Sequence, residues 1–259
     1  MNVYPALAII LASSSPVFAA QWAKTFTLVG PPELRLQAED ATIQIVGEDR
    51  VDIDARVTTA GWKISDHDVR VVDKLSGNVL DLQVVTPRLN YSFARRSVKV
   101  ELRVPRGINC EVKGGMHTIT VTGVKGNAVL VSKAGVINAI DLDGKLDATT
   151  GEGRIRARGR FDVLTMHSGY GAIDVEATAR SRMFSAWRIT TDDGNITLHV
   201  PAGFAADLDL EIDAGHIAVD LPYTIAGSPD QSRVQGKMNG GGEALVLRTS
   251  GGNIKVSKK

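Results

Sequence analysis

The sequence predicts an all-β protein, a single-stranded parallel β-solenoid of about eighteen residues per coil. Three observations carry that reading. Ile119, Ile137, Ile155 and Ile173 recur at eighteen-residue intervals, Ile196, Ile217 and Ile254 continue the series at 23, 21 and 37, and Ile43 stands as an isolated earlier copy. Each Ile has an apolar residue two places on, and a further apolar pair lies nine and seven places before it, as in Cys110/Val112, Ala128/Leu130, Leu146/Ala148 and Leu164/Met166. The residue two before the Ile is glycine in six copies: Gly135, Gly153, Gly171, Gly194, Gly215 and Gly252.

Each observation has a physical meaning. Residues n and n+2 of a strand share a face, so every coil supplies two short strands with inward apolar pairs. One coil buries too little to offset the entropy of ordering it, so coils must stack, and the pattern must recur. A glycine before each Ile strand is expected to take positive φ at a tight corner. Arg156 and Arg158 face outward in one copy, while Asp174 and Glu176 hold the equivalent places one copy later. Parallel stacking would set these opposite charges side by side, roughly 4.8 Å apart. Ser132, Thr150, Ser168, Thr191 and Thr249 recur before the glycines and read as an outward ladder.

The flanking regions are less periodic. Residues 1–19 read as a secretory signal: Ala6 to Ala12 is an unbroken apolar run, followed by serines, Pro16 and a cleavage site after Ala19. That run is far short of the ~20 residues a membrane span requires. Residues 20–106 form an irregular N-terminal β region, whose Thr59–Ser97 part, with Trp62, His67 and Pro87, is expected as an extra lobe or a cap on the solenoid's first edge. Residues 107–259 hold the regular coils. Between Ile217 and Ile254 the extra length, with Gly227-Ser228-Pro229 and Gly240-Gly241-Gly242, reads as a surface excursion.

Thirty Lys plus Arg face twenty-nine Asp plus Glu. No global basic field exists to attract nucleic acid or anionic lipid. Cys110 is the only cysteine, so no internal disulfide forms, and its place in the repeat is that of a small buried hydrophobe.

Three phrases resemble a bacterial family of putative adhesins: Ser132-Lys133-Ala134-Gly135-Val136-Ile137, Thr149-Thr150-Gly151-Glu152-Gly153-Arg154-Ile155 and Thr249-Ser250-Gly251-Gly252-Asn253-Ile254. Val98-Lys99-Val100-Glu101-Leu102-Arg103-Val104-Pro105 is similar to the same family's pattern. The resemblance spans roughly residues 34–256 and implies a secreted or envelope β-solenoid of unknown function, related to auto-transporter adhesin head-like domains. It transfers no catalytic motif.

The residues themselves give no catalytic, cofactor or metal set. The place between the turn glycine and the Ile holds Val136, Arg154, Ala172, Asn195, His216 and Asn253, without the recurring carboxylate a calcium ladder uses. His67, His117, His167, His199 and His216 fall at different offsets, so stacking does not align them for zinc. Ser168 beside His167 lacks the G-x-S-x-G context. Tyr170, between two glycines, is expected at an exposed corner. The expectation is a non-enzymatic, exported protein, periplasmic, cell-surface or secreted, offering a β surface to a glycan or an envelope protein. Two alternatives stand beside it. One is a polysaccharide lyase or hydrolase using Arg156, Arg158 and Arg160 on a β-helix scaffold; the other is a self-associating structural or envelope-stress component.

Overall fold

The computed structural model describes residues 19–87, 96–226 and 231–259. The segment expected as a leader lies, up to Phe18, outside the described residues, as do Gly227-Ser228-Pro229. Among the described residues every regular element is a strand. In chain order the first are β1 (Ala19–Thr27), β2 (Glu33–Ala38), β3 (Thr42–Glu48), β4 (Asp52–Ala60), β5 (Arg70–Ser76), β6 (Val79–Val85) and β7 (Ser97–Pro105). Then come β8 (Asn109–Gly114), β9 (Ile119–Thr122), β10 (Lys125–Ser132), β11 (Ile137–Thr150), β12 (Ile155–Tyr170) and β13 (Ile173–Ala177). The last are β14 (Trp187–Asp193), β15 (Ile196–Val200), β16 (Ala206–Ala214), β17 (Ile217–Val219), β18 (Tyr223–Ile225), β19 (Arg233–Met238), β20 (Ala244–Gly251) and β21 (Ile254–Lys258). All belong to one hydrogen-bonded set in which parallel and antiparallel pairs are mixed.

Two ladders run through the set. In the first, Ile43 pairs in parallel register with Ile119, and then Ile137, Ile155, Ile173 and Ile196 follow, each beside the last. In the second, Leu36 lies beside Val112, followed by Leu130, Ala148, Met166 and Ile189. Alternation sends these side chains inward, and both ladders fill one apolar cluster in which the first six isoleucines are fully buried. β11 and β12 are long enough to serve both ladders, bending at Gly144 and near Gly159.

Chain order and stacking order part company beyond β15. Ile196 lies beside Ile254, and Ile254 beside Ile217, so the C-terminal strand is inserted between two earlier ones. In the second ladder β20 likewise separates β14 from β16. This corrects the expectation that residues 107–259 stack in sequence. The physical reason is that every layer offers its neighbour the same apolar column and the same free backbone groups.

Antiparallel strands finish both ends. β5 pairs with β6, and β4 lies between β1 and β7; at the other end β19 pairs with β16 and β18 with β19. The stretch after Ile217 is therefore a pair of sheet strands as well as a surface excursion. Such added strands cover the open edges that parallel layers would leave.

The corner glycines need a second correction. Gly194, Gly215 and Gly252 have positive φ, of 156°, 128° and 147°, whereas Gly135, Gly153 and Gly171 do not. Those three are required by close approach. A Cβ on Gly153 would overlap the carbonyl oxygen of Gly135, and one on Gly171 would sit 2.5 Å from that of Gly153.

The Ser/Thr column is also reversed from its expected direction. Ser132, Thr150, Ser168, Thr191 and Thr249 are buried. Each donates its hydroxyl to a glycine carbonyl of the neighbouring layer: Gly115 at 2.7 Å, Gly135 at 3.0 Å, Gly153 at 2.9 Å, Gly171 at 3.1 Å and Gly194 at 2.9 Å. The interior polar stitch satisfies acceptors that would otherwise be stranded at the tight corner.

Candidate functional site

On the face built by β12 and β13 basic and acidic side chains pair across the strands. Arg156 and Arg154 approach Asp174 at 3.9 and 3.8 Å, and Arg158 reaches Glu176 at 3.5 Å. Lys259 binds Glu176 as well, and holds that carboxyl below its ordinary range. Glu176, His199 and Ser257 stand abreast on three neighbouring strands, with His199 Nδ1 2.8 Å from Ser257 Oγ. This is acid, imidazole and hydroxyl in a row, but Ser257 is only 7% exposed, on a sheet face. His167 Nδ1 similarly meets Thr190 Oγ1 at 3.0 Å. Cys110 is buried, and desolvation pushes its thiol up to about 12, far from a reactive thiolate.

The β12–β13 face holds a concavity of about 520 Å³ around Arg156, Arg158, Asp174 and Glu176, and a separate concave site lies where the eighteen-residue spacing is exceeded. Arg160 at the bend of β12, the loop after β13, the loop after β15 and the loop before β20 line one cleft of about 790 Å³. These are the corners that carry the extra residues of the 23-, 21- and 37-residue intervals. In repeat proteins, insertions at one corner of successive layers commonly build the binding face.

The loops are tied down from below. Phe161, Trp187 and Phe204 form a buried aromatic pillar, with centroids 6.3 Å apart for the first pair and 5.1 Å for the second. Phe161 N donates to Ser181 Oγ at 3.1 Å, and Arg182 N donates to the Phe161 carbonyl at 3.1 Å, so the loop after β13 is fastened to β12. Asn239, at φ 50°, donates to the carbonyls of Ala202 and Phe204, both at 2.8 Å, stapling the other two loops together.

Arg160 is held by Asp143 and, through two parallel bonds of 2.5 and 2.7 Å, by Asp162, which together raise its already high pKa. Its charge is spent on shaping the corner. Arg180 and Arg182 flank the inward Ser181, are exposed, and form no ion pair among the described residues. Glu243 lines the same cleft, also exposed.

No family model matches the chain, and no curated protein matches it. Several solved structures are similar to it, three of them as follows. One described as a putative adhesin from Parabacteroides merdae has a TM-score of 0.48 at 12% identity, covering 92% of this chain and 96% of that one. A putative adhesin from Bacteroides fragilis gives 0.45 at 14%, covering 91% and 96%. A putative cell adhesion protein from Clostridium sporogenes gives 0.43 at 12%, covering 92% and 99%.

The residues singled out in the sequence are thus distributed over two kinds of place. The isoleucines and corner glycines lie in the interior and at the tight corners, except that Ile217 is only partly buried and Gly215 is exposed in the last layer. Tyr170 stands out at 65% exposure. Of the three arginines considered for an anionic sugar, Arg156 and Arg158 line the concavity on the strand face and only Arg160 reaches the loop cleft. Arg180, Arg182, Asn239 and Glu243 went unnoticed in the sequence. The available signal was the set of irregular intervals together with the Gly240-Gly241-Gly242 run. Among the described residues no group of three His, Cys, Asp or Glu is placed to hold a metal ion, and no helix is long and apolar enough to cross a membrane.

Proposed function

We propose that the protein is an exported, non-catalytic binding protein of the cell envelope or its exterior, with its ligand site in the loop cleft. In this reading residues 1–19 are a cleaved leader, 20–106 form the capped first part, and 107–259 are coils of a β-solenoid of about eighteen residues each. The parallel ladders support the solenoid, and the apolar run before Ala19 supports export. The turn glycines and core isoleucines are then scaffold, holding layers in register so that loops can vary without loss of the core.

One observation carries the binding role. The corners with extra residues in three stretches of chain converge on one cleft, and two of its arginines, Arg180 and Arg182, form no ion pair among the described residues. The cleft volume falls within the roughly 300–1,000 Å³ typical of sites for small ligands.

Gly203 provides the test, because a Cβ there meets nothing within 4 Å and the residue is exposed at the cleft. Gly203→Trp should fill the cleft without disturbing the core. On a glycan array the native protein is expected to bind a restricted set, and Gly203→Trp to lose it at an unchanged melting temperature. Undiminished binding by Gly203→Trp would remove the cleft from consideration.

A further inference from the structure

Resting on that reading, we infer that the cleft takes an acidic sugar, a uronate whose carboxylate is received by Arg180 and Arg182. The two arginines flank a buried serine in the loop after β13, both are exposed, and both line the cleft. Arg160, between Asp143 and Asp162, adds shape without adding free charge. The planar guanidinium fork matches a carboxylate better than an ammonium does.

Glu243 decides between kinds of anion. A carboxylate in the same cleft, with no ion-pair partner among the described residues, disfavours a doubly charged phosphate group. It suits a ligand that carries a single negative charge at one point and hydroxyl donors elsewhere, which describes a uronic acid ring. Half-buried Met183 and the largely buried Phe204 line the cleft and give it an apolar patch for a pyranose face. The concavity on the β12–β13 face lacks this combination, since Arg154, Arg156 and Arg158 already have carboxylate partners there.

Titration calorimetry with methyl galactosiduronic acid, a single uronate ring, and its methyl ester tests the class. The acid should bind the native protein roughly tenfold or more tightly than the ester. Arg180→Ala/Arg182→Ala should bring the acid down to the ester's affinity while leaving the ester and the melting temperature unchanged. Gly203→Trp should abolish both. Equal affinity for acid and ester, each lost in Gly203→Trp, overturns the acidic-sugar inference and leaves the cleft as the binding site. Binding that survives Gly203→Trp overturns the cleft itself. Absence of heat with either sugar, alongside binding of tetraglutamate that needs the two arginines, replaces the sugar with an acidic peptide and overturns the inference.

Discussion

The layers from β8 to β13 and those from β14 to β21 share a lateral register but differ in how the chain visits them. In the first group each turn of chain lands beside the one before it, at eighteen residues. In the second, β20 and β21 settle between strands made earlier, and antiparallel β18 and β19 close the end. The side-chain columns nevertheless pass unbroken through both groups. What the fold fixes, then, is the column; connectivity only has to be long enough to reach it.

The comparison can be broken most forcefully in the column itself. Ile155 is fully buried in the middle of the regular layers, with Ile137 on one side and Ile173 on the other. Ile155→Asp places an unpaired charge in that shared interior and should cost more than about 4 kcal/mol. Ile217, partly exposed in the last layer, should lose only about 1 kcal/mol on the same change. Urea unfolding of both variants measures the ratio. Equal losses would mean that the end layer is as much a part of the core as the middle.

The next largest effect concerns the corners. Gly153→Ala puts a methyl group onto the Gly135 carbonyl, and the adjoining layers have to separate locally. An overpacking cost of about 3 kcal/mol is expected. Gly203→Ala, with open space around it, should change stability by under about 0.5 kcal/mol and can gain slightly from the stiffer unfolded chain. A Gly153→Ala variant as stable as Gly203→Ala would show that the close approach is not structurally required.

These residues also show how far the sequence could be read. The Ile column was legible because a buried strand face restricts residue type at every second position, and an eighteen-residue repeat makes the restriction visible. Insertion of β21 between β15 and β17 was not, because Ile196, Ile217 and Ile254 present interchangeable faces and pattern alone cannot rank them. Positive φ was assigned to all six glycines when three are needed for proximity, a contact between layers that one coil's sequence does not contain. The hydroxyl column was readable and was misread. Ala128, Leu130 and Ser132 alternate, so Ser132 must point inward with them, and Leu146, Ala148 and Thr150 repeat the lesson. Arg180 and Arg182 were hidden because irregular intervals mark loops without saying that they converge.

The hydroxyl column permits a sharper version of the comparison. Thr150 belongs to the layers visited in order, and Thr249 to those visited out of order, yet each donates to a glycine carbonyl, at 3.0 and 2.9 Å. Replacing either with Val keeps the volume and removes the donor, for a loss of about 1–2 kcal/mol. If the column alone matters, Thr150→Val and Thr249→Val should lower stability equally by urea titration. A Thr249 effect much below that of Thr150 would show that out-of-order layers are held less tightly.

The smallest effect lies at the seam where parallel layers meet the antiparallel end. Asp209 on β16 accepts from Arg233 of β19 at 3.0 Å and from Arg248 of β20 at 3.1 Å, joining a strand of each kind. Burial draws its carboxyl upward, but the bonds from the two arginines outweigh this and hold it below the ordinary 3.8. A carboxyl with a lower pKa folded than unfolded contributes fully above the unfolded value, and the contribution disappears as pH falls through the folded one. Asp209→Asn should therefore cost at most about 1 kcal/mol at neutral pH, the scale of a partly exposed ion pair. The gap between the variant and the native protein should close as pH drops below 3.8. Urea midpoints measured down the acid limb will show that convergence if Asp209 clamps the seam, and a gap that stays constant would place the loss in packing instead of charge.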